Sequence, residues 1–254
     1  MQTDKWLLDT YDDPIALCEM IRKYFDDDVS PSEIYHHLMS HGMYRVPLIN
    51  GREVIKKLQH NKVWSIVKQE AQQLQQLWKG PDIPIFIFPS DANNQNLKQN
   101  FNGKSGVAFT NKLFLFISED NTENEIRALF THEYNHICRL AHFSKDEKDY
   151  VLLDAILLEG LAEHAVKERL GEKYTSSWTS YYSKEELENM WAKTVITYKD
   201  LPRNHRRHQD ILYGLRFYPK MLGYCTGYYL VQKYIDANHL TTAELLGKPS
   251  DKMI

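Results

Sequence analysis

The stretch Thr131-His132-Glu133-Tyr134-Asn135-His136 constrains this chain most. It reads H-E-x-x-H, and a helix gives that spacing its meaning. Residues four apart share a helical face. His132 and His136 can then each aim an imidazole nitrogen at one point, about 2.0–2.1 Å from a zinc ion. Glu133 lies one step round, beside a metal-activated water, where a general base belongs. The neighbours Leu129, Phe130, Tyr134, Asn135, Ile137 and Cys138 are uncharged, as a helix beneath an active site requires. Thr122-x-x-Glu125 is a capping box, and Ile126, Leu129 and Phe130 continue it as an apolar stripe. The pattern predicts a helix from about 122 to 142. The plain alternative is a surface helix with two stray histidines.

A catalytic zinc needs three protein ligands and one open position. Glu159, in Leu157-Leu158-Glu159-Gly160-Leu161-Ala162-Glu163-His164, follows His136 after 22 residues. That gap accommodates the end of the first helix near His142 and a polar turn, Ser144 to Asp149. A second helix then runs from about 149 to 170, with Gly171 as its stop. Gly160 is a poor helix residue, costing about 1 kcal/mol against Ala. Close approach of the two helices, bringing Glu159 to the metal, gives a reason for it. Glu163, one turn on, is expected to orient a zinc-bound imidazole. The alternative for both glutamates is a charged outer stripe. Their neighbours Leu157, Leu158, Leu161 and Ala162 favour a buried carboxylate that needs a cation.

HEYNH followed by LLEGLAEH resembles the gluzincin arrangement of zinc metallopeptidases, in which the helix after H-E-x-x-H supplies a glutamate. With the later run Pro219 to Tyr228 (PKMLGYCTGY), these pieces resemble the bacterial YjaZ-type family of predicted zinc-dependent proteases, over roughly residues 80 to 254. The resemblance implies an α+β, zincin-like (gluzincin) catalytic domain at 81–254, with a small antiparallel sheet and mostly helices. It also implies Zn2+, a peptide or protein substrate, and a supporting role for Glu163. It further implies that the strand before the zinc helix lies at the sheet edge. An extended substrate backbone would pair there with unsatisfied N–H and C=O groups. A core sheet with no exposed edge is the alternative. The G-x-M-E-N motif of large aminopeptidases is missing, as are the third histidine and Met-turn spacing of metzincins.

A net charge of −3 gives no general pull toward nucleic acid or acidic membranes. Met1 to Thr10 has no apolar core of a signal peptide, and no apolar run approaches a membrane span. Cys18, Cys138 and Cys225 form no disulfide framework and no C-x-x-C site, which suits the cytoplasm. Residues 1–80 read as a helical N-terminal region. Asp13-Pro14 opens one helix, and Ser30-Pro31-Ser32-Glu33 opens a second through His41. Asn50-Gly51 opens a third, long helix to about Trp78. His37 and His41 are four apart, with His36 adjacent. No carboxylate or cysteine supports them, so exposed polar face is expected.

Ile83 to Phe88 reads as a strand and Asp91 to Gly106 as a polar loop. Val107–Phe109 and Leu113–Ile117 read as a hairpin. Tyr174, Trp178, Tyr181 and Tyr182 suit packing or a cleft wall, and a helix follows from Ser183 to about Tyr198. Pro202 to Asp210 reads as an exposed basic loop, or else a clamp for an anion. Gly223 and Gly227 predict a helix packed tightly on another. Tyr224 between them is the candidate donor to a developing oxyanion, with Tyr228, His205 and His208 as alternatives; a packing role for Tyr224 is the plain reading.

These expectations combine into a zinc-dependent metallopeptidase that hydrolyses peptide bonds by a zinc-activated water, with Glu133 as general base. A zinc hydrolase of a non-peptide amide or ester is one rival. A non-catalytic zinc-binding regulatory module is another, though a purely structural site has no use for Glu133. The sequence carries no signal for oligomeric state.

Overall fold

Cap residues recur through the first third of the chain, and short helices follow them. The computed structural model describes residues 1–143 and 145–254. Helix α1 (Thr3–Thr10) has no clear sequence signal. Its Thr3 hydroxyl donates to the Ile87 carbonyl (2.7 Å) and accepts from the Trp64 indole (2.9 Å). In α2 (Pro14–Ile21), Asp13 accepts from the Ala16 N–H at 2.9 Å. A Ser30/Glu33 capping box opens α3 (Pro31–Ser40), with His41 at its C-cap. The single helix expected from Asn50 to Trp78 is two, α4 (Gly51–His60) and α5 (Val63–Trp78). Lys62 between them is left-handed (φ 57°), a conformation no right-handed helix carries through.

Strands β1 (Ile85–Pro89), β2 (Ser105–Ala108) and β3 (Leu113–Ile117) form a sheet of order β1-β3-β2. β2 and β3 make the expected antiparallel hairpin. β1 runs parallel to β3, so the sheet is mixed and not antiparallel throughout. The reason lies in the stretch expected to be a loop. Asn94 accepts from the Leu97 N–H (3.0 Å) and opens α6 (Gln95–Phe101). α6 carries the chain past β3 to the far edge of the sheet, at the end where β1 finishes; β2 then runs back, so β3 starts level with β1 and parallel to it. Phe86, Phe88, Phe114 and Phe116 are buried on one face, and Ile87, Leu113, Leu115 and Ile117 are buried on the other, so these strands are covered on both faces. β3, the strand preceding the H-E-x-x-H helix, is therefore central and not at the edge. Its hairpin partner β2 takes the edge instead.

Helix α7 (Glu123–His142) starts where the capping box predicts, with the Glu125 carboxylate accepting the Thr122 N–H at 2.8 Å. Ser144, where the polar turn was expected to begin, lies outside the described residues. A 3-10 turn (Glu147–Asp149) leads to α8 (Leu152–Leu170), closed by Gly171 at φ 91°. Then come α9 (Lys184–Met190), a π-helical turn (Trp191–Val195) and α10 (Ile196–Tyr198). They are followed by α11 (Arg206–Tyr213), α12 (Leu222–Asn238) and α13 (Thr242–Leu245). The expected basic loop is thus helical from Arg206, and His208 in it is 2 % exposed. His208, Ile211 and Leu212 fall at i, i+3 and i+4, one apolar stripe that buries.

The chain divides into two compact units, Met1–Gln76 with Asp82–Tyr134, and Leu77–Pro81 with Asn135–Ile254. In the first, the buried phenylalanines of the sheet join Leu7, Leu17, Ile21 and Leu38 in one core. In the second, α8 and α12 touch backbone to backbone. A Cβ on Gly160 would stand 2.4 Å from the Gly227 carbonyl oxygen, and one on Gly227 only 1.8 Å from that of Ile156. Gly227 thus packs as expected. The close partner of Gly160, however, is α12 and not α7, because the small residues of α12 leave the space. Arg139 on α7 is 1 % exposed. Its guanidinium donates to the carbonyls of Leu245 (3.1 Å), Leu246 (2.8 Å) and Lys248 (2.7 Å) and to the Ser250 hydroxyl (3.3 Å). No helix among the described residues is long and apolar enough to cross a membrane.

Candidate metal centre

The H-E-x-x-H residues lie on α7 and Glu159 on α8. One donor atom from each of His132, His136 and Glu159 lies within 4.8 Å of the other two. The His136 Nε2 and Glu159 Oε2 atoms are 3.7 Å apart. Three ligands on a tetrahedral zinc with bonds near 2.1 Å would stand about 3.4 Å apart. Two imidazole nitrogens and one carboxylate oxygen form a donor set that zinc accepts. Small side-chain rotations would close the remaining difference. His132 and Glu159 are half-buried, and His136 is 8 % exposed, so the group is sheltered yet open to a water-sized reactant.

Glu133 is also 8 % exposed. It lies against the edge strand, where a Cβ on Gly106 would sit 2.5 Å from Glu133 Cγ and 2.8 Å from its Oε1. Only glycine leaves room for the carboxylate there. The Phe109 N–H donates to the Lys112 carbonyl (2.9 Å), which sets the hydrogen-bonded pairs of the hairpin. Antiparallel alternation then makes Val107 with Phe114, and Ser105 with Phe116, the next such pairs. The N–H and C=O groups of Gly106 and Ala108 therefore point away from β3. Sequence reading missed Gly106; a glycine inside a strand pattern was the available signal.

Tyr224 on α12 reaches Glu159. Its hydroxyl hydrogen-bonds with Glu159 and Tyr213, and its ring packs edge-on against Trp178 at 5.2 Å. Burial, followed by the negative charge of Glu159, holds that phenol well above its usual pKa. The Gly160–Gly227 contact sets this register, since Glu159 adjoins Gly160 and Tyr224 lies one turn before Gly227. Nothing in the sequence marked Tyr213. Glu163 is 3 % exposed, and it accepts the N–H (2.9 Å) and hydroxyl (2.7 Å) of Ser176.

The other expected donors differ in their surroundings. Tyr228 stacks on His164 (4.1 Å), and the His164 Nε2 bonds to its carbonyl at 3.0 Å. His205 caps α11, with Nδ1 accepting from the Arg207 N–H at 3.2 Å. His208 lies in the wall of a cavity of about 140 Å³ that Glu159 and Tyr224 also line.

A family model described as "Predicted Zn-dependent protease" matches residues 63–254. The chain is 40 % identical over 221 residues to the Bacillus subtilis (strain 168) "Uncharacterized protein YjaZ", covering 87 % of this chain and 84 % of that protein. The chain belongs to the YjaZ-type family. A second Bacillus subtilis protein, "Uncharacterized protein YjfC", is 23 % identical over 171 residues, covering 64 % of this chain and 57 % of that one. No solved structure matches. Zinc is the cofactor that the description of the YjaZ-type family names, and His132, His136 and Glu159 form a group able to bind it.

Proposed function

We propose that the chain is a gluzincin-like zinc metallopeptidase. The observation that carries this reading is the convergence of His132, His136 and Glu159, with the Glu133 carboxylate seated on an edge-strand glycine. Bound zinc supplies Lewis acidity, lowering the pKa of a water toward 7 and polarising a carbonyl. Glu133 accepts the proton of the attacking water at a carboxylate oxygen and later delivers it to the leaving amine nitrogen. The outward groups of Gly106 and Ala108 pair with an extended substrate backbone, holding its carbonyl near Glu133. Tyr224 donates to the developing oxyanion, and in the resting site its hydroxyl holds Glu159. Glu163 keeps α8 in place through Ser176 and supports a ligand imidazole. The zincin-like portion is 81–254, and the helical region 1–80 covers the sheet, as the Thr3–Ile87 bond suggests. Three buried free thiols suit the cytoplasm.

Glu133→Gln tests the reading directly. We expect zinc content equal to the parent and peptide hydrolysis reduced on the order of 10³-fold or more. Elemental analysis and a fluorogenic peptide pool measure both. Hydrolysis at parental rate in that variant removes the general base from this scheme.

A further inference from the structure

The cavity beside Glu159 has a composition that zinc binding does not require. Helix α8 lines it with Leu158 and Glu159, and α11 with His208 and Leu212, four residues apart. Two of its wall residues are polar and deeply buried, His208 at 2 % and Tyr150 at 4 % exposure. Among the described residues, neither His208 ring nitrogen has a hydrogen-bond partner, nor does the Tyr150 hydroxyl. Buried polar groups are normally satisfied, so two such groups on one cavity call for a ligand that satisfies them. Charge narrows the choice. Arg203 and Glu147, the more exposed wall residues, pair with each other at 2.5 Å. Burial, then Arg203 and His205, lowers the His208 pKa, which leaves a neutral ring with one donor and one acceptor. Burial raises the Tyr150 phenol to about 12, so it keeps its proton.

We propose that this cavity is the subsite for a substrate side chain beside the cleaved bond. In it, His208 and Tyr150 select an uncharged hydrogen-bonding group, first the carboxamide of Gln or Asn. The inference rests on the peptidase reading of the neighbouring site. A carboxamide offers an acceptor and donors together, matching imidazole and phenol at once. A carboxylate would share the cavity with Glu147 and Glu159, and an ammonium would meet Arg203. An aliphatic group would leave both buried partners unsatisfied. The volume is roughly ten times what one water needs, ample for a Gln side chain.

The test uses the peptide Ac-Ala-Ala-Xaa-Ala-Ala-NH2 with Xaa as Gln, Met, Glu or Lys. Each is titrated calorimetrically into zinc-loaded Glu133→Gln protein, and the parent's cleavage sites are mapped on the same set. The Gln peptide is expected to bind at least about 10-fold tighter than the Met or Glu peptide. Adding Tyr150→Phe or His208→Leu is expected to narrow that ratio to within about 2-fold. Tyr150→Phe deletes one oxygen and keeps the test valid if His208→Leu fails to fold. A ratio near one in the Glu133→Gln protein, or a ratio that neither substitution alters, overturns the subsite. Gln selectivity in binding without any cleavage by the parent sustains the cavity assignment and removes the peptidase reading. Cleavage without side-chain preference does the reverse.

Discussion

Two histidine pairs in this molecule share the same spacing, and only one belongs to a metal-binding group. His132 and His136 on α7 meet Glu159 within 4.8 Å, with Glu133 beside them. His37 and His41, at the end of α3, bring their rings to 4.4 Å, yet they join no such group among the described residues. The difference is in what surrounds them. Lys112, held over the Phe25 and Phe109 rings, is a positive neighbour that helps lower the His37 pKa after burial and His41. His41 Nδ1 turns back to its own helix, bonding to the His37 carbonyl at 2.8 Å. A cation would meet carboxylates at one pair and a cation at the other. Strand β2 touches both neighbourhoods, with the Ser105 hydroxyl on the His41 carbonyl (2.6 Å) and Gly106 against Glu133. A four-residue spacing positions two imidazoles; a second element decides whether they become ligands.

The largest effect that would break this contrast is in metal content. His132→Ala and Glu159→Ala should each drop bound zinc from about one per chain to near zero after mild chelation. The double variant His37→Ala/His41→Ala should keep it. Zinc loss in the double variant would reverse the assignment. Next comes Gly106→Ala, whose Cβ intrudes on the Glu133 side chain. Steady-state kinetics should show peptide hydrolysis down about 100-fold with zinc retained, the effect of a displaced base.

A third, solitary histidine sharpens the comparison through pH. Burial first, and then the charge of Lys167, depresses His164 to about 4, against an ordinary 6.5. Above pH 6.5 the ring is neutral in both folded and unfolded chains. Between 6.5 and 4 only the unfolded chain takes up the proton, so stability falls by about 3 kcal/mol across that window. Urea titrations at successive pH values should show this slope, and His164→Gln should flatten it. The smallest effect is expected for His37→Ala/His41→Ala, a change within about 0.5–1 kcal/mol by the same titrations, because neither residue is in the core: His37 is exposed and His41 half-buried.

The parts legible in the sequence share a local signal. The Thr122/Glu125 cap fixes the start of α7, and the i, i+4 spacing puts His132 and His136 on one face. Gly227 announces a close helix contact. The parts that escaped depend on tertiary context. α1 is secured by Thr3 bonds to residues more than sixty positions away. The α4–α5 break sits at a lysine, where composition gives no warning. The Asn94 cap of α6 hides in an asparagine-rich run, and missing α6 made an antiparallel β1 the natural expectation. Unbroken Ile-Phe runs at 85–88 and Leu-Phe runs at 113–116 were a usable sign of doubly covered strands. The apolar i, i+3, i+4 stripe of α11 was outweighed by its arginines, which concealed His208 as a buried wall residue.

The clamp on Arg139 ties the histidine helix to the order in which the chain is made. That guanidinium, three residues after His136, finds its carbonyl partners more than a hundred positions later, at Leu245, Leu246 and Lys248. On the ribosome, α7 is complete long before those carbonyls exist, and its arginine stays hydrated and α7 unlocked. Only a chain synthesised through Ser250 can bury it. A chain that stops before that point lacks these partners, and the helix that carries both histidines is left without its clamp.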